Sequence, residues 1–370
     1  MKQLLRTGCG LVGSRKPVFW VWPLIITLGI GLCAGSKSKA QVRTRIRPEV
    51  DTTYIRMFPG KLTGRTFLSQ KYTSFFLTTP AANSPFLRYR PNAALDFGIG
   101  GTLNALTLNL ASGLSFLNNP AKGKTRDIDL QSHVYMRKWV LDGFGQFYTG
   151  YYLAPRGNGL DDPGRFYLRP DLRVNLVGGG IRRVFNFRRF SFRSAWVQNE
   201  WQKRSAGTWL AGFQLYYGVV RGDSVFVPGL LRADFPVEAV QRLRLLKFGP
   251  GLGYAYTYVY RQHWFATGSL TTNLNITFSK ENFETGYLPH SNVRPDLMFR
   301  VVAGYNSNQW CVTLGWVNGA VSVMSPIYQY TIHTGNYRFT VARRFRVSPR
   351  IQKAVPEQIK IELGNGILPK

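Results

Sequence analysis

Residues 264–278 read WFATGSLTTNLNITF. The even positions, from Trp264 and Ala266 through Leu270 and Leu274 to Ile276 and Phe278, are apolar or small, with an aromatic at each end. The odd positions after Phe265 are Thr267, Ser269, Thr271, Asn273, Asn275 and Thr277, all uncharged and polar. A period of two predicts a β-strand whose faces meet different surroundings. Strands commonly run about 5–6 residues, and this one is far longer. At about 3.3 Å per residue, Trp264 and Phe278 sit about 46 Å apart along the strand. A tilt of about 45° lowers that to roughly 33 Å, close to the hydrocarbon thickness of a bilayer. Aromatics at both ends suit the two interfaces.

The same alternation recurs along the chain. Asp127–Arg137 sets Ile128, Leu130 and Val134 opposite Asp129, Gln131 and His133. Leu168–Leu176 sets Leu172, Val174 and Leu176 opposite Arg169, Asp171, Arg173 and Asn175. Thirteen segments read as strands: 65–77, 93–103, 105–116, 127–137, 139–153, 168–184, 190–199, 207–220, 243–258, 264–278, 294–305, 309–322 and 327–345. Helical periodicity is poor, with 236–246 the one modest candidate. Short connections alternate with long ones rich in Gly, Pro, Asn or charge, the rhythm of a membrane barrel with tight inner turns and long outer loops. Such barrels have an even strand count, and 207–220 and 243–258 would run the same way. An extra strand at Ser224–Leu231 repairs the phase. The expected fold is therefore all-β, a single antiparallel transmembrane β-barrel of about 14 strands across 65–345, with 12 as the alternative if two weak segments are loops. A secreted β-sandwich also gives period two, but not the strand length or the loop rhythm.

The ends differ from the middle. Residues 1–40 carry Lys2, Arg6, Arg15 and Lys16, then the uncharged run Val18–Ala34, then Ser38-Lys39-Ala40 before Gln41. This is the pattern of a cleaved signal peptide. An N-terminal periplasmic lead (41–64) and a C-terminal periplasmic tail (346–370) flank the barrel. Without residues 1–40 the chain keeps 42 basic and 18 acidic residues, net +24, because the leader holds six basic residues and no acid. Such an excess favours anionic partners, and export excludes nucleic acid. Of three cysteines only Cys311 lies outside the leader, so no disulfide staples the exported chain.

Several phrases resemble a family of outer-membrane barrels from Bacteroidetes designated domain of unknown function 4421. They are FPGKLTGRTFLSQKYTSFFL (58–77), LRYRPNAALDFGIG (87–100), DGFGQFYTGYYL (142–153), RPDLRVNLVGGGIRRVFNFRRFSFRSA (169–195), QKRSAGTWLAG (202–212), GLGYAYTYVY (251–260) and GNYRFTVARRF (335–345). The resemblance implies the compartment, the bacterial outer membrane, and the barrel fold. It brings no activity and no catalytic residues.

The residues themselves offer little catalytic chemistry. His133, His263, His290 and His333 lie on separate segments, which is not the clustering a metal site needs. Gly98-Ile99-Gly100-Gly101 lacks the strand–helix setting of a phosphate loop. No cofactor and no enzymatic activity are expected. The lumen is more telling. Arg169, Asp171, Arg173 and Asn175 form one predicted inward row, with Arg193 nearby; Arg294, Asp296 and Arg300 form another. Inward charge rows set selectivity in pores, and mixed Arg–Asp rows also salt-bridge a closed barrel. Trp139, Trp209, Trp264, Phe278, Trp310 and Phe345 are the expected aromatic girdle. The expected role is a pore or transport-type barrel for small anionic or amphipathic solutes. The alternatives are a structural scaffold holding lipopolysaccharide or periplasmic partners, and a lipid-modifying enzyme. The expected partners are outer-membrane lipid and lipopolysaccharide, the barrel-assembly machinery during biogenesis, and a periplasmic protein at the tail.

Overall fold

The structure is a computed structural model that describes residues 50–79, 86–103, 106–236, 240–284 and 286–347. The expected leader (1–40) and all but the first two residues of the expected tail lie outside them. Fifteen strands are described. β1 (Ile55–Met57) is short; β2 (Lys61–Thr78) is the first long strand and begins inside the expected lead. β3 (Phe86–Arg90), β4 (Asp96–Leu103), β5 (Leu106–Gly113) and β6 (Arg126–Tyr135) are short or middling. β7 (Trp139–Ala154) and β8 (Leu168–Val184) are long, and β9 (Glu200–Gln202) is short. The rest are long: β10 (Ala206–Arg221), β11 (Arg242–Tyr260), β12 (Trp264–Asn282), β13 (Tyr287–Asn306), β14 (Trp310–Met324) and β15 (Gln329–Arg346).

Thirteen strands share one antiparallel sheet, and ten of them close a ring in the order β2, β3, β7, β8, β10, β11, β12, β13, β14, β15. The last joint runs from Lys61↔Arg346 to Thr78↔Gln329. Closure pairs the sheet edges, as a strand wall in lipid requires. β4 and β5 hang from β2, and β6 hangs from β7; β1 and β9 form a separate two-stranded sheet.

In β12 the sequence pattern translates directly. Trp264, Leu270, Leu274 and Phe278 are exposed on the outside, whereas every odd residue from Phe265 to Glu281 is buried inside. The outer wall is apolar elsewhere too: Trp209, Leu215 and Tyr217 on β10, Leu252 on β11, Leu297 on β13 and Leu314 on β14 are exposed. A soluble protein rarely leaves so continuous an apolar surface uncovered.

The expected count of fourteen is corrected to ten in the ring: 93–103, 105–116 and 127–137 fall in the arms β4, β5 and β6 outside it, β3 enters it from outside the expected strands, and two further segments are not strands at all. Residues 190–199 are not a strand: Arg193–Val197 make one turn of wide helix, and Phe190, Ser194, Ala195 and Gln198 are buried. Ser224–Leu231 is not a strand either, but part of the connection between β10 and β11, which pair directly from Arg221↔Arg242 onward. The two errors compensate. Counting 190–199 as a wall strand reverses the direction of everything after it, and the invented strand reverses it back. Residues 242–246 of the helical candidate lie in β11.

Candidate functional site: the occluded lumen

The ring's interior is filled at three levels. At the long-loop end, Phe226 and Phe235 from the β10–β11 connection are buried among Phe75, Tyr89, Tyr330, Leu172 and Leu243 of the wall. Phe226 meets the Phe75 ring edge-on at 5.3 Å. Arg169 secures this cap. Its guanidinium donates to the Val225 carbonyl at 2.7 Å and the Ser224 carbonyl at 3.0 Å, while Asp171 accepts two further bonds from it at 2.9 and 2.8 Å. Asp171 also accepts from the Asp223 amide at 2.9 Å. The tight turn at Arg221-Gly222-Asp223 therefore serves to dock the cap.

The middle level is polar. Asp142 on β7 accepts from Arg182 on β8 at 2.6 Å, from Arg300 on β13, and bonds His133 on β6 at 2.7 Å. β7 and β13 are five places apart in a ring of ten, so the Arg300–Asp142 pair spans the lumen from wall to opposite wall. A ten-strand barrel is narrow enough for such a contact. Asp296 on β13 pairs with Lys247 on β11 and accepts from Asn275 at 3.1 Å; Asn275 accepts in turn from Gln214 at 3.1 Å. Thr334 on β15 donates to Gln146 on β7 at 2.8 Å. The cavity left between these groups is about 20 Å³, bounded by Gln131, Tyr216, Asn273 and Met298, room for about one water.

At the short-turn end, residues 190–202 fold inward as a plug. Arg65 of β2 donates to the Val197 carbonyl at 2.8 Å, Arg344 of β15 to the Gln198 carbonyl at 3.0 Å, and Asn306 of β13 to the Glu200 carbonyl at 3.0 Å. The Trp196 ring stacks on Tyr135 of β6 at 6.4 Å. Glu200 takes the Arg137 guanidinium at 3.1 Å and lies 3.5 Å from that of Arg193. Burial opposes its ionisation, but the two arginines and the Ser191 hydroxyl outweigh burial and hold the carboxyl below the usual glutamate range.

Of the residues expected on the lumen wall, Arg169, Asp296 and Arg300 are buried inside, and Arg294 faces in beside Met324. Arg193 is inside but belongs to the plug. Arg173 and Asn175 face outward, because Leu172, Val174 and Leu176 occupy the interior. The cause is an irregularity between β7 and β8 at Thr149/Tyr151, where Gly150 adopts φ 91° and β8 loops ahead of its partner. Across this irregular stretch the buried positions of β8 step from Arg169 to Leu172, three residues on, so the strand exchanges its two faces. A side chain at Gly150 would meet the Lys124 carbonyl at 2.2 Å, so only glycine fits. The alternation alone hid this; the Thr-Gly-Tyr break at 149–151 was the available signal.

The six expected girdle residues are all exposed on the outer face. Trp139, Trp264 and Trp310 each begin a strand at the short-turn end, where Trp209 and Phe345 also lie; Phe278 lies toward the other end of β12. Arg183 sits over Trp139 and Arg343 over Trp310, each at 5.0 Å. Cations over interfacial indoles suit a headgroup layer. Among the described residues no three His, Cys, Asp or Glu side chains gather as a metal site would require.

Comparison with solved structures returns membrane barrels at low similarity. The outer-membrane protein OmpT of Vibrio cholerae matches at 8% identity and TM-score 0.26, over 77% of this chain and 98% of its own. The toluene transporter TodX of P. putida matches at 6% identity and TM-score 0.25, over 79% and 92%. Ail, the attachment invasion locus protein of Yersinia pestis, matches at 8% identity and TM-score 0.18, over 78% and 100%. No curated protein matches the sequence. The family model for the domain of unknown function DUF4421 matches residues 49–345, almost the whole of the barrel just described, and the chain belongs to that family.

Proposed function

We propose that the chain is an integral barrel of the bacterial outer membrane and of transport type, held shut in this structure by segments that can leave its lumen. The observation that carries this reading is the plug at 190–202. It is tied to the wall chiefly through its own backbone carbonyls at Val197, Gln198 and Glu200, contacts that can be exchanged for water. The solutes are small and amphipathic. An aromatic cap above a polar layer offers both kinds of surface, whereas the arginines expected to attract free anions are engaged by Asp142, Asp171 and backbone carbonyls. The chain acts by passage and not by catalysis. Membrane lipid, lipopolysaccharide and the assembly machinery are its proposed surroundings.

The test is conductance in planar bilayers. Wild-type protein is expected to open rarely, and Arg65→Met with Arg344→Met to open often. Silence from both overturns the reading. The Arg300–Asp142 tie favours a second one, a rigid structural barrel. In that case the double variant stays silent and removal of the chain after residue 347 loses co-purifying partners.

A further inference from the structure

The ring is complete at the long-loop end only because β3 bridges β2 and β7, through Phe75↔Tyr89 on one side and Arg88↔Ala154 on the other. Nearer the short-turn end β3 is absent. There β2 carries β4 and β5, β7 carries β6, and among the described residues no ladder joins β5 to β6. Among the described residues the outer edges of β5 and β6 are therefore both left without a ladder, an interruption of the wall that is called the slot below. Unpaired backbone is not tolerated against lipid unless water or a ligand reaches it. The slot opens inward: Thr107, Asn109 and Ala111, on the lumen side of β5, are exposed.

The lips differ in chemistry from outside to inside. Outside stand Leu108 and Leu110 on β5 and Ile128, Leu130 and Val134 on β6, all exposed. Beside them an apolar groove of about 360 Å³ runs between Leu62, Ile99, Leu103, Leu108 and Leu110, open at Gly100 and Gly101. Inside, Lys71 reaches across from β2 to donate to the Asp129 carbonyl of β6 at 3.2 Å and pairs with Asp96 at 3.9 Å. Asp96 lies opposite the buried Ser69 of β2, and Asp127 and Asp129 opposite the buried Tyr148 and Gln146 of β7, so all three carboxylates are on the inner face. The inner mouth thus holds three carboxylates against one ammonium. The connection 114–125 roofs the slot and is anchored to the β3–β4 break by Asn92, which bonds Thr125, Asn119 and Gly123 at 2.7 to 3.0 Å.

We propose that this slot is a lateral portal between the lumen and the bilayer for single-chain amphiphiles with a cationic head. The alkyl chain lies in the outer groove and the head enters past Lys71 to the carboxylates. The inference rests on the transport reading and adds a route to it. A strand from a partner would fit the bare edges equally well. The apolar groove continuous with the slot, and the charged side chains already filling its inner mouth, favour the amphiphile.

The experiment bridges the slot. In a C9A/C33A/C311A chain, N109C and Q131C are joined by a bismaleimide with a reducible centre, and heat-modifiable migration checks folding. Uptake of decyltrimethylammonium and of decanesulfonate into outer-membrane vesicles is measured before bridging, after it, and after reduction. The expected result is preference for the cation, loss of its uptake to the level of vesicles without the protein, and recovery on reduction. Uptake unchanged by the bridge, with either probe, overturns the portal and leaves transport through the lumen standing. No uptake in any state overturns both. Capture of a co-purifying polypeptide by N109C alone replaces the amphiphile with a strand and overturns the proposal.

Discussion

The wall has two unequal halves. From β10 to β15 each strand is fifteen to twenty residues long and ladders directly with its sequence neighbour. From β2 to β8 the wall is assembled from pieces, with a five-residue β3 at one end, a hanging hairpin and a single hanging strand at the other, and a bulge at Gly150. The uninterrupted half is what a bilayer demands of any barrel. The interrupted half departs from that demand, and departures from local rules mark function. Arg300 and Asp142 join the two halves across the lumen.

That joint carries the largest expected effect. Asp142→Ala leaves Arg182 and Arg300 buried without their carboxylate, a situation that typically costs about 3–5 kcal/mol. Urea titration of folded protein in lipid vesicles, followed by tryptophan fluorescence, is expected to show a loss of that size. Replacing Arg182 and Arg300 with methionine in the same chain recovers most of it. An unchanged midpoint in Asp142→Ala would mean that the halves are not held together here.

The second effect separates the halves. Leu270→Arg places a charge on the lipid face midway along β12, where such changes cost about 2–4 kcal/mol. Leu110→Arg on β5 sits beside the slot, where the guanidinium can reach lumen water, and is expected to cost less than about 1 kcal/mol. Equal losses in the same titration would show β5 to be ordinary wall.

These differences explain how much the sequence could tell. In β12 one face is apolar and exposed and the other is buried inside the ring, so alternation read the strand correctly. Residues 190–199 alternate as well, with Phe190, Phe192 and Trp196, yet they fold into the plug. Alternation reports two faces but not whether the backbone is paired with neighbours or closed on itself. The β8 row failed for a different reason. Leu172, Val174 and Leu176 are apolar because they pack under the cap, not because they meet lipid, and a filled lumen uses the same residues as a bilayer. Arg294, Asp296 and Arg300 share the inner face of β13, whose ladder with β12 runs without a bulge. The slot was beyond reach, since an unpaired edge and a paired one have the same composition.

Hydrogen exchange sharpens the contrast more gently. Amides of β5 and β6 on the slot side are expected to exchange faster than those of β12 by about an order of magnitude or more, because local opening costs little where no ladder exists. Peptide-resolved mass spectrometry in lipid vesicles reads this directly. Uniform protection around the ring would close the slot.

The smallest expected effect concerns the plug, which both halves hold: Arg137 from the interrupted side, Asn306 and Arg344 from the other. Glu200 ionises more readily in the folded protein than in the unfolded chain, despite its burial, because Arg137 and Arg193 face it. Its contribution is therefore fully present above the ordinary glutamate pKa of about 4.3. It fades as pH falls toward the lower folded value. Bilayer recordings are expected to show more frequent openings as pH drops below that range, in wild type but not in Glu200→Gln, whose neutral amide has no charge to lose. A pH response retained in Glu200→Gln would assign the latch to another carboxylate, with Asp142 the next to vary.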